Sequence, residues 1–153
     1  MRQVGDLDAS IGYALKQTAA ALRGAMDDAL RPLDLSVPQY SSLEVLGQQP
    51  GISASELARR TFVTRQSMQG VLQGLAARGL LTRPAAAPQG RALPTELTAD
   101  GQALLRRASR AVAGVEQRML DGLSADDQRR LHADLARCAE ALRSRPPTPD
   151  LDG

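Results

Sequence analysis

Apolar residues recur at helical spacing along nearly the whole chain, and the recurrence breaks only where turn-forming residues stand. Leu7, Ile11, Leu15, Leu22, Met26 and Leu30 fall at intervals of four or seven, one stripe of a long amphipathic helix. Pro32 and the Leu33-Asp34-Leu35 that follows end it. Ser36, with Gln39 three residues on, is placed to cap a short helix running through Leu46. Between Ser53 and Arg78 two short helical patterns follow one another with only Thr61-Phe62-Val63 between them. After Thr98, its expected cap, a long helix carries Leu104, Leu105, Val112, Val115 and Met119 and is broken at Gly122. Ser124-x-x-Asp127 caps a last helix bearing Leu131, Leu135, Cys138 and Leu142. Met1 to Gly5 and the stretch from Pro146-Pro147 onward have the composition of loose ends, and no internal repeat is present.

The central pair of helices carries the most specific local chemistry. Ser53 and Glu56 have the spacing of a capping box, and Arg59 and Arg60 suit the helix C-terminus that follows. Phe62 and Val63 are expected to tuck beneath both helices. Thr64 caps the second helix, which runs to Arg78 before Gly79 stops it. Its buried face is read as Met68, Val71, Leu72 and Leu75, and its opposite face as Arg65, Gln66, Gln69, Gly70 and Gln73. Arg, Gln and Ser are side chains that reach base edges and phosphates. Leu80 to Arg83 and Arg91 to Leu97 then read as two strands around a tip from Pro84 to Gly90. Pro94 cannot donate a ladder hydrogen bond, so the returning strand is an edge or carries an irregularity. The order is a helix-turn-helix followed by a wing, which places one helix in a DNA groove.

These residues resemble the MarR family of winged-helix transcription regulators. The matching pieces are Pro38-Gln39-Tyr40, Ser55-Glu56-Leu57-Ala58, Gln66-Ser67-Met68, Arg78-Gly79-Leu80-Leu81 and Gly90-Arg91-Ala92-Leu93 through Leu97-Thr98 and Gly101. The resemblance covers roughly residues 8 to 143, and its strength lies in the ordered series rather than in any one motif. It implies a homodimer that binds double-stranded operator DNA, with first and last helices of two subunits interlocked. Thr64, Arg65, Gln66, Ser67, Gln69 and Gln73 would face the major groove or its flanking phosphate, and Arg91 the neighbouring minor groove. The chain departs from the family at Gln89, where an acidic residue is common, at the weakly charged tip Pro84-Ala85-Ala86-Ala87-Pro88, and at Pro94.

Charge supports that reading through its distribution. The formal net charge is only +2, yet from Ile52 to Arg91 six arginines stand against a single glutamate. Such concentration is what phosphate binding requires, although Arg60 and Arg78 serve equally well as helix-end caps. A chain of 153 residues with 42% hydrophobic and 2% aromatic content suits one domain with a Leu- and Ala-rich core. Its expected divisions are an N-terminal dimerisation helix over 8–35, a winged helix-turn-helix lobe over 36–98, C-terminal dimerisation helices over 99–144 and a flexible tail over 145–153. The fold class is mostly α with a small β-wing. No membrane-length apolar run and no signal peptide are present, so a cytoplasmic protein is expected.

Catalytic and metal chemistry find no constellation. His132 is the lone histidine and Cys138 the lone cysteine; they are six residues apart and off one helical face. His132 is read as a solvent-side residue and Cys138 as a small buried one, not a redox sensor. No catalytic residue, metal site or cofactor is assigned. By resemblance, a small-molecule effector would sit where the dimerisation helices meet the DNA-binding lobe, near Tyr13, Lys16 and Tyr40, although both tyrosines also suit plain packing. The alternative to a DNA-binding repressor is a winged-helix protein-interaction module that does not bind DNA.

Overall fold

The computed structural model describes residues 6–82 and 95–144. Backbone contacts divide the chain into two compact units, one ending at Glu116 and the other beginning at Gln117.

In the first unit a 3-10 turn over Leu7–Ala9 precedes α1 (Ile11–Leu30). The sequence stripe suggests one helix from Leu7, but Ser10 interrupts it. Its hydroxyl accepts from the Tyr13 amide at 3.3 Å and starts α1 afresh. Pro32 lies in a second 3-10 turn, and Asp34 closes it in a left-handed conformation. Ser36 and Gln39 form both halves of a capping box at the start of α2 (Val37–Gln48), with bonds of 3.2 and 2.9 Å. The helix-turn-helix follows as α3 (Ala54–Thr61) and α4 (Arg65–Ala77). Two short strands, β1 (Leu81–Thr82) and β2 (Glu96–Leu97), pair antiparallel with Leu81 opposite Leu97. The strand residues expected from Arg83 and from Arg91 to Pro94 lie outside the described residues, as does the wing tip. Thr98 receives the Gly101 amide at 3.1 Å and opens α5 (Ala99–Leu120).

The core of this unit is aliphatic. Leu30, Leu43, Leu46, Leu57, Met68, Leu72 and Leu75 are essentially sealed from solvent. Each such side chain contributes about 1.5–3 kcal/mol relative to exposure. Helix α2 is the hub, packing against α1, α3, α4 and β2. The one buried polar side chain among the described residues is Ser42, whose hydroxyl donates to the Pro38 carbonyl at 2.8 Å.

The second unit holds the end of α5, a turn and α6 (Ala125–Arg143). Ser124 caps α6 through the Asp127 amide at 3.1 Å, and the Gln128 amide group donates to the Leu123 carbonyl at 3.1 Å to fasten the turn. No α6 residue is buried. Cys138 is therefore exposed, not the small buried residue its position on the apolar stripe suggests. His132 is exposed as expected. Leu131, Leu135 and Leu142 also face outward, beside ion pairs such as Arg130–Asp127 that are too exposed to add much stability.

Candidate nucleic-acid interface

The helix-turn-helix is built by three successive backbone devices. Ser53 Oγ accepts from the Glu56 amide at 3.1 Å and starts α3. The Glu56 carboxylate accepts from Arg59 at Nε (3.1 Å) and Nη2, and so does not return to close the box at Ser53. That guanidinium holds Glu56 below the usual carboxylate range. Phe62 ends α3 in the left-handed region, at φ 59°, with its amide bonded to the Ala58 and Arg59 carbonyls. Thr64 then starts α4: its hydroxyl oxygen accepts from the Ser67 amide at 3.1 Å while its proton goes to Ser67 Oγ at 2.9 Å.

The expected burial of Phe62 does not occur. Its ring is 94% exposed, while Val63 is half-buried. The left-handed cap reverses the chain within one residue, so α4 can return against α3 without the Phe62 side chain entering the space between them. Val63, whose amide takes the Ala58 carbonyl at 3.0 Å, supplies the packing residue of the turn.

Helix α4 separates its faces as the spacing predicts. Met68, Leu72 and Leu75 are buried and Val71 partly so, whereas Thr64, Arg65, Gln66, Ser67, Gln69 and Gln73 are exposed. These six lie together on the first turns and outer face of one helix. Arg91, the seventh candidate, lies outside the described residues. Arg65 reaches back to α3, where Ser55 Oγ accepts from its Nε at 3.0 Å; this contact between residues ten apart is not foreshadowed by any spacing. Arg78 is different in kind. Its guanidinium donates to the backbone carbonyls of Asp34 at 2.6 Å and Leu33 at 3.4 Å, so it clamps the turn after α1.

A cleft of about 640 Å³ opens in the same unit between α2, β2 and α5. Tyr40, Glu44, Gln48, Glu96, Gln102, Arg106 and Ser109 supply its polar groups, and Leu46, Leu97 and Leu105 its apolar wall. Tyr40 is buried and its hydroxyl is pushed up to about 12, first by desolvation and then by a hydrogen bond to Glu44, against an opposing bond to Ser109. Arg106 has no ion pair among the described residues. Of the three effector candidates the cleft takes in Tyr40 only; Tyr13, half-buried, and Lys16, exposed, lie on α1 and do not line it. Glu44, Arg106 and Ser109 carry no motif in the sequence and could be found only once α2 and α5 are packed.

Among the described residues no helix is long and apolar enough to cross a membrane, and no cluster of His, Cys, Asp or Glu has the makings of a metal site.

Comparison with known proteins points in one direction. The sequence model of the MarR family matches residues 33–92. An HTH-type transcriptional repressor of Mycobacterium tuberculosis, Rv2887, is 44% identical over 122 residues, covering 80% of this chain and 88% of that protein. The crystal structure of the MarR family protein Rv2887 from the same organism in complex with salicylic acid superposes with a TM-score of 0.73 at 40% identity, over 89% of this chain and 99% of that one. Its complex with DNA gives 0.70 at 40% identity, over 90% and 100%.

Proposed function

Since the chain belongs to the MarR family, we propose that it is a homodimeric DNA-binding repressor, released from its operator by a small-molecule effector, and that it is not an enzyme. The observation that carries this reading is the outer face of α4. Arg65, Gln66, Gln69 and Gln73 stand exposed on the side opposite Met68, Leu72 and Leu75. The core anchors the helix while that face meets the major groove, with Thr64 and the helix N-terminus beside a phosphate. Related proteins have been crystallised with DNA and with salicylic acid, which supports both halves of the proposal.

The dimer rests on apolar residues without cover in one chain. Leu7, Ile11 and Leu15 near the N-terminus, and Leu131, Leu135 and Leu142 on α6, are exposed. A second copy burying them would set two recognition helices about 34–36 Å apart, one DNA turn.

Release has a physical route through the cleft beside Tyr40. It touches β2 through Glu96 and Leu97, and α2, which packs directly on α4. An aromatic acid lodged there would place its ring against Leu97 and Leu105 and its carboxylate near Arg106. A shift of α2 on binding would be passed to α4, against which it packs. An effector releases DNA only through different affinities for the two arrangements.

The test is binding of the purified protein to duplexes selected from a random pool, in the presence and absence of salicylate. Gln66→Ala should lower discrimination between selected and scrambled duplex by roughly tenfold, the weight of one base contact. Salicylate should weaken operator binding of the parent and have less effect on Arg106→Ala. Failure to select any sequence with a folded dimer would favour the protein-interaction alternative.

A further inference from the structure

Arg65 is the first residue of α4, and Ser55 stands in the first turn of α3. Ser55 Oγ accepts from both Nε, at 3.0 Å, and Nη2 of Arg65. Both residues are exposed, so burial does not force the contact. The nearest carboxylate in sequence, Glu56, is occupied by Arg59, and Arg65 has no ion pair among the described residues. The guanidinium is thus oriented by a neutral oxygen rather than by a carboxylate.

A guanidinium has two edges that present paired N–H groups. One is Nε with Nη2, the other Nη1 with Nη2. Ser55 takes the first, leaving the second free. The free edge has the parallel donors that match O6 and N7 of guanine in the major groove. A long arginine left loose would lose conformational freedom on meeting its base; one already held loses less.

We propose that Ser55 is a positioning residue for operator recognition: it holds Arg65 by the Nε–Nη2 edge so that the Nη1–Nη2 edge reads a guanine in each half-site. This rests on the DNA-binding reading above. Ser55 contributes through Arg65 and does not itself bind a phosphate.

The experiment uses the full-length protein and its selected operator, with each guanine replaced singly by 7-deazaguanine, which lacks the N7 acceptor. In the parent, one guanine per half-site should show a loss of roughly tenfold, the weight of one charge-assisted hydrogen bond lost at N7 while O6 keeps the other. Arg65→Ala should abolish that loss. Ser55→Ala should reduce it to about threefold or less, with unchanged affinity for scrambled duplex and unchanged salt slope, and Ser55→Thr should restore it. Melting temperature checks that all variants are equally folded. A full 7-deazaguanine penalty in Ser55→Ala would overturn the proposal, because Arg65 would then need no holder. Equal weakening on operator and scrambled duplex would also overturn it, because Ser55 would then be a phosphate contact. If the parent selects no sequence at all, the repressor reading fails first and this proposal falls with it.

Discussion

The Leu80 carbonyl lies so close to Gly101 that a Cβ on that glycine would stand 2.2 Å from the oxygen. The same carbonyl accepts from the Thr98 amide at 3.0 Å, and Thr98 Oγ1 donates to the Gly79 carbonyl at 2.6 Å. The start of α5 is therefore pressed against the end of the helix-turn-helix at the point where the wing strands begin. Gly101→Ala must push backbone against backbone, and an overpacking cost of about 1–3 kcal/mol is expected. Gly114, also within α5, has nothing within 4 Å of its virtual Cβ. Gly114→Ala should instead stabilise by about 0.5–1 kcal/mol, the ordinary gain in a helix interior. Denaturant unfolding of the two variants should move in opposite directions from the parent.

Phe62 offers a second test of sign. It holds a left-handed conformation at φ 59° while burying almost none of its ring. Its side chain thus contributes little packing to offset a backbone cost of about 1–2 kcal/mol. Phe62→Gly should leave stability unchanged or raise it by up to about 1 kcal/mol, once the added freedom of the unfolded glycine is counted. A clear loss of stability, measured by thermal melting, would mean that the ring is packed in solution.

Arg78 separates a structural arginine from a DNA-binding one. Its bonds to the Asp34 and Leu33 carbonyls tie the end of the helix-turn-helix to the turn before α2. Arg78→Met should lower stability by about 1 kcal/mol, the net worth of such a bond at an exposed site. The salt dependence of DNA binding should be unchanged, whereas loss of a phosphate contact would flatten it by about one unit per contact.

Tyr40 supplies the pH prediction. The folded state keeps its proton to about 12, against an ordinary 10.0. The folded pKa is raised, so the unfolded chain loses its proton first as pH rises. Stability attached to this group is complete below about pH 10 and is lost between about 10 and 12. Tyr40→Phe should remove that part of the alkaline loss. The difference in phenolate absorbance between parent and variant should show a transition near 12; a transition near 10 would refute the buried hydroxyl.

Much of the architecture was legible before any coordinates. Serine and threonine caps at Ser36, Ser53, Thr64, Thr98 and Ser124 all start the helices expected of them, because capping is a bond between near neighbours. The split faces of α4 were equally readable, since helical periodicity is local and one face must meet the core. What proximity in sequence does not encode had to wait for packing. The Ser55–Arg65 bond, the Arg78 clamp and the cleft joining Tyr40, Arg106 and Ser109 depend on how helices approach, which no spacing within one helix specifies. The misread residues show the same limit. Phe62 is apolar and stands in the turn between two helices, and Cys138 sits on the apolar stripe of α6, yet both are exposed. Residue type says which side chains gain from burial. Whether a given one is covered depends on what the folded chain brings opposite it, and for Phe62 the left-handed turn brings nothing.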